Sequence, residues 1–156
     1  MGSQTMRGYT LDVSEYLFRL TTESLRIHSN QTRRYQSLAN LVNARATASA
    51  AGAIEQHDVE TLRQHLEKVP TKGPIRIYLS ISKTSAENLT EAKRRLEKHL
   101  GSALTVGDAV SMLLFDYVVE QGTAKLMSRI GIDQPKPPKG SGGRGRDEGE
   151  KVVRIR

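Results

Sequence analysis

The chain has 156 residues, a formal net charge of +7, no Cys and no Trp. That length suits one domain with appendages or two small ones, and the missing Cys exclude disulfides, Cys-ligated zinc and thiol catalysis, which fits a reducing cytoplasmic setting. A pI near 9.9 favours an anionic partner, nucleic acid first.

Residues 1–8 are polar, with no apolar run after the first charges, so no signal peptide is expected. From about Val13 a helical pattern runs through Tyr16, Leu17, Leu20, Ser24 and Ile27, with a break near Ser29-Asn30. A second helix is predicted from Gln31 to about Ala50, with Tyr35, Leu38, Leu41 and Val42 as its stripe. Asp58 suits the N-cap of a short helix through Leu62, Leu66 and Val69, and Pro70 to Pro74 read as a linker. Residues 1–70 are therefore expected to be a helical region. Within it, Tyr9, Leu11 and Val13 alternate with Thr10 and Asp12, so residues 9–50 have two readings. One is a degenerate copy of a later strand–helix–helix unit; the other is a bundle segment that packs on a dimer or mediates self-association.

Pro74-Ile-Arg-Ile-Tyr-Leu-Ser-Ile-Ser82 is the clearest β-strand. Ile75, Ile77, Leu79 and Ile81 share one parity and Arg76, Tyr78, Ser80 and Ser82 the other, giving one apolar and one polar face. A lone strand leaves backbone groups unpaired, and a second copy of the chain across a two-fold axis is the simplest partner. After the strand, Ala86, Leu89, Ala92, Leu96 and Leu100 mark one face of a helix stopped by Gly101. The opposite face carries Lys93, Arg94, Arg95 and Lys98 among Glu91 and Glu97, which reads as solvated. Thr105 with Asp108 then opens a second helix, apolar nearly all round from Val106 to Val119. Such a helix must be buried on most sides, a second reason to expect an intertwined homodimer.

From residue 134 onward Pro, Gly and Arg dominate, predicting a disordered basic tail. Net charge divides as +2 over residues 1–73, +1 over 74–133 and +4 over 134–156. With a nearly balanced body, the tail residues Arg144 and Arg146 are candidates for sequence-blind phosphate contacts. No stretch approaches a bilayer span, so no membrane association is expected. The four histidines show no ligand spacing, and Gly140-Ser-Gly-Gly-Arg-Gly is not followed by the Lys-Ser/Thr of a phosphate loop. Neither an enzyme nor a cofactor is expected.

Strand, Gly-stopped helix and Thr-capped buried helix over residues 74–122 resemble the ribbon-helix-helix family of DNA-binding proteins, which includes the Arc and Met repressors and plasmid copy-number repressors. The resemblance rests on Arg76-Ile-Tyr-Leu-Ser-Ile-Ser82, Ala86-Glu-Asn-Leu89 and Leu104-Thr-Val-Gly-Asp-Ala-Val110. It implies a mostly α fold, with a β-α-α homodimer over 71–133 that places its paired strands in the major groove. It further implies base reading by Arg76, Tyr78 and Ser80, and phosphate contacts from Lys83 and from the helix start at Thr105 and Val106. The expected role is a transcriptional repressor or a transfer-origin accessory factor of a plasmid or other mobile element. The alternative is an antitoxin-like or scaffold protein whose residues 1–70 or tail bind a protein partner.

Overall fold

The computed structural model describes residues 5–130, with side chains described as far as Gly122. The elements run β1 (Met6–Val13), α1 (Glu15–Thr32), α2 (Leu38–Arg45), α3 (Ala50–Ile54), α4 (Val59–Lys68), β2 (Ile75–Ser82), α5 (Lys83–Leu100) and α6 (Val106–Ile130). Met1–Val119 form one compact unit and Glu120–Arg156 a second, described only through its helical residues up to 130. The tail candidates Arg144 and Arg146 lie outside the described residues.

The intertwined homodimer is corrected by the pairing of the strands. β2 pairs antiparallel with β1 of the same chain over their full lengths, from Met6↔Ser82 to Val13↔Ile75. The backbone groups expected to require a second copy are satisfied internally. The order β1-α1-α2-α3-α4-β2-α5-α6 therefore replaces the β-α-α dimer, and the region up to Pro70 is not all helical, because its first described element is β1.

The helix expected to need a second subunit is also covered from within. His65 of α4 reaches Ser111 of α6 (Nε2···Oγ 2.8 Å) and stacks on Phe115 at 4.5 Å between centroids. His57 Nε2 lies 2.8 Å from Asp116 Oδ1, and the Tyr117 hydroxyl donates to Gln31 Oε1 at 3.0 Å. The core joins Leu79 and Ile81 of β2 to Leu41 and Val42 of α2, Leu62 of α4, Leu89, Leu96 and Leu100 of α5, and Met112 and Leu114 of α6. Each fully buried Leu or Ile contributes about 1.5–3 kcal/mol.

A constant offset in sequence relates β1-α1-α2 to β2-α5-α6. Ser14 and its counterpart Ser82 cap the two 18-residue helices α1 and α5, accepting from the N–H of Leu17 and Ser85 respectively. Both helices end on a left-handed residue, Arg33 (φ 58) and Gly101 (φ 72), separated by the same offset as the two caps. Ser37 and Thr105, again at that offset, cap α2 and α6 by accepting from Asn40 and Asp108. Helices α3 and α4 are the insertion between the two halves.

The return from α4 to β2 is locked against the start of α1. The Ser14 N–H donates to Thr71 O at 2.9 Å, the Ser14 hydroxyl to Pro70 O at 2.5 Å, and the Gly73 N–H to Asp12 O at 3.2 Å. Gly73 is required by this close approach, since a Cβ there would sit 2.3 Å from Ser14 Cα. The linker read from Pro70 to Pro74 is thus the clasp that sets β2 beside β1.

Candidate nucleic-acid interface

The two strands make an antiparallel ribbon with a buried and an exposed face. Leu79, Ile81 and Val13 are buried, with Tyr9, Leu11, Ile75 and Ile77 half-buried on the same side. The other side presents Gly8, Thr10 and Asp12 from β1 and Arg76, Tyr78 and Ser80 from β2, all exposed. Alternation produces this split because successive strand side chains point to opposite faces. The register pairs Gly8 with Ser80, Thr10 with Tyr78 and Asp12 with Arg76. The polar row expected on one strand is thus half of a two-stranded surface. Tyr78, at its centre, is 75% exposed.

Arg76 has a partner that the strand pattern did not disclose. Its Nε donates to Asp12 Oδ1 at 2.8 Å and its Nη2 to Asp12 Oδ2 at 3.2 Å. This bidentate contact takes two of the guanidinium's five donors. The hydrogen bond from Arg76 holds the Asp12 carboxyl below the usual carboxylate range, with Lys72 adding to the effect. The same bond pushes the Arg76 guanidinium up, with a smaller contribution from Tyr78. Both groups are exposed, so the pair orients the guanidinium rather than holding the fold together.

The flanks differ from one another. Lys83 is exposed at the first position of α5, and its backbone N–H donates to Thr5 O at 3.0 Å. Across the ribbon from the β2 end, the exposed Arg7 lies over the Tyr9 ring at 5.0 Å. At the other end, a groove of about 580 Å³ is lined by Asp12, Lys72, Thr105, Val106 and Asp108 among others. Here the Thr105 N–H, expected to meet a phosphate, donates to Asp108 Oδ2 at 2.9 Å, while the Asp108 N–H donates to the Thr105 hydroxyl at 3.0 Å. Thr71 also donates to Asp108 Oδ1 at 2.5 Å. A carboxylate therefore already occupies this positive helix end. The matching start of α2 carries the neutral Asn40 at that position, preceded by the exposed Arg33 and Arg34.

Arg76, Tyr78, Ser80 and Lys83 thus lie along β2 and its junction with α5, while Thr105 and Val106 lie beyond the opposite end of the strand. Gly8, Thr10 and Asp12 are the ribbon residues that strand reasoning on β2 alone missed. Their signal was the Tyr9–Val13 alternation followed by a Ser cap, the same succession as Ile77–Ile81 followed by Ser82. Among the described residues, no group of three or more His, Asp or Glu is placed to hold a metal ion, and no helix is long and apolar enough to cross a membrane. Comparison of the chain with protein-family models, with curated proteins and with solved structures returns no match.

Proposed function

We propose that the chain binds double-stranded DNA by placing the exposed face of its β1–β2 ribbon in the major groove, the use that the ribbon-helix-helix resemblance over residues 74–122 implies for paired strands, with both strands here supplied by one chain. One observation carries the reading: a two-stranded ribbon whose outward residues from Gly8 to Asp12 and from Arg76 to Ser80 are all exposed and carry no aliphatic side chain, standing on an apolar face set against a helical body. A ribbon of this kind fits the roughly 12 Å major groove. Arg76 donates to a guanine, Ser80 reads by its hydroxyl, and Tyr78 meets the central step. Lys72, Lys83, Arg33 and Arg34 neutralise phosphates on either side, with Arg144 and Arg146 adding affinity that is blind to sequence. The biological use is that of a repressor or of an accessory factor marking a transfer origin.

The test is gel shift or fluorescence anisotropy on duplexes selected from a random pool. Arg76→Ala and Ser80→Ala are expected to cost about 1–3 kcal/mol each on the preferred sequence while leaving affinity for unrelated duplexes unchanged. Lys83→Ala should weaken both equally and lower the salt slope by about 1. Wild-type affinity for the preferred sequence in the Arg76→Ala protein would contradict the assignment.

A second reading, a protein-binding surface within residues 1–70, is favoured by Tyr16, Phe18 and Tyr35, large apolar side chains left exposed along and after α1. Copurification of a partner that Tyr16→Ala and Tyr35→Ala release would support it.

A further inference from the structure

We infer that the duplex recognised by this chain lacks two-fold symmetry and is read by one chain, whose two strands specify different base pairs. The inference rests on the DNA-binding reading above and fixes the class of site that reading requires. Its basis is the relation between the constant offset and the register. Thr10 and Tyr78 stand at the offset that separates the paired caps, and they are also cross-strand partners. The local two-fold axis implied by the matched caps and helices therefore passes through that pair. Two other pairs, Gly8↔Ser80 and Asp12↔Arg76, exchange under the same axis, because Gly8 corresponds to Arg76 and Asp12 to Ser80.

In a ribbon built from two identical chains, exchanged positions carry identical side chains, and the chemistry on either side of the axis is the same. Here it is not. One side of the axis holds Arg76 braced by Asp12; the other holds Ser80 opposite Gly8, which has no side chain at all. The first side offers guanidinium donors for guanine O6 and N7 and a carboxylate that accepts from cytosine N4. The second offers a single short hydroxyl. The axis itself is occupied by two different residues, Thr10 and Tyr78. The asymmetry continues at the flanks, where one second-helix start carries Asp108 and its counterpart Asn40. A surface with this distribution binds a duplex in one orientation, because inverting the site puts the hydroxyl where the guanidinium was.

The test uses the full-length protein and a random duplex pool. Selection should enrich a motif that is not an inverted repeat, and native mass spectrometry of the complex should find one chain per duplex. Inverting the strong half of that motif should lower affinity on the order of tenfold per changed base pair. A second variant makes the row symmetric: Gly8→Arg, Thr10→Tyr and Asp12→Ser together. An added Cβ at Gly8 meets no atom within 4 Å, so this protein is expected to fold, as circular dichroism would show. Its preference should move to an inverted repeat of the Arg76 half, by tenfold or more relative to the wild-type motif. An inverted repeat selected by the wild-type protein, two chains per site, or a symmetrised protein that keeps the wild-type motif would each overturn the inference and leave DNA binding standing. Absence of any enriched sequence would overturn the DNA reading, and the inference with it.

Discussion

The two halves of the ribbon unit have matched backbones and unmatched side chains. Strand, Ser cap, 18-residue helix, left-handed stop and hydroxyl cap recur in the same order at one constant offset. Yet the buried face of α1 is Leu17, Thr21 and Ser24, while that of α5 is Ser85, Ala86, Leu89, Ala92, Leu96 and Leu100. In α1 the hydroxyls are satisfied locally, Thr21 donating to Phe18 O and Ser24 to Leu20 O. Leu20, Leu25 and Ile27 of α1 pack on the core only half-buried, so this helix holds its place with a weaker apolar face than α5, its start fixed by the Ser14 cap and the clasp. Geometry is kept by a few capping residues, and the rest of the sequence is free to diverge. The second half supplies most of the core, and the first supplies the pairing edge and the asymmetry of the exposed face.

That division predicts unequal sensitivity. Ile81→Ala, which empties a fully buried site beneath the ribbon, should lower stability by about 2–5 kcal/mol. Val13→Ala, at a buried site on the other strand, should cost less, since fewer carbons are removed; both are read by urea denaturation. A larger loss at Val13 would mean that the first half, and not the second, anchors the core.

The insertion between the halves packs on α6 through His65, and burial pushes this imidazole down to about 4. A histidine lowered in the folded state costs nothing above its unfolded value of about 6.5. It destabilises increasingly as pH falls from there towards about 4, because the unfolded chain takes up the proton first. At pH 5 the wild-type chain should have lost about 2 kcal/mol to this group relative to pH 7.5. The His65→Gln protein should lack that part of the pH dependence. Identical pH profiles for the two proteins would place the coupling elsewhere.

Two glycines test the contrast at smaller scale. Gly73→Ala drives a Cβ into the backbone of Ser14 and should cost about 1–3 kcal/mol. Gly8→Ala has open space before it on the exposed face and should be close to neutral by the same denaturation measurement.

Much of the second half was legible in the sequence. The alternation from Ile75 to Ser82, the Leu/Ala stripe from Ala86 to Leu100, the stop at Gly101 and the Thr105 cap are strong local signals, and each element lies where those signals point. The first half was harder to read for physical reasons. β1 begins with Met6, Arg7 and Gly8, which do not alternate in hydropathy, and α1 buries Thr21, outside the expected pattern, while Tyr16 within that pattern is exposed. Its stop is Arg33 in a left-handed conformation, so the helix runs on to Thr32 past the break expected near Ser29-Asn30. The second helix is correspondingly shorter than expected, Leu38–Arg45. Unpaired strand edges and an all-round apolar helix argue in the sequence for a second chain. Both needs are real, and β1 and the α3–α4 insertion meet them. At the candidate interface, the outward parity of Arg76, Tyr78 and Ser80 was readable from β2 alone. The Asp12 brace on Arg76 was not, because it depends on a register with a strand far away in the chain.

The fold and the proposed interface both depend on one chain supplying the two strands of the ribbon. The protein has no Cys, so a pair introduced across the ribbon as Gly8→Cys and Ser80→Cys reports on this directly. Paired strand positions lie within disulfide reach. Mild oxidation followed by non-reducing electrophoresis and intact mass measurement should give a monomer with an internal disulfide, independent of protein concentration. Disulfide-linked dimers joining Cys from two chains would contradict this arrangement.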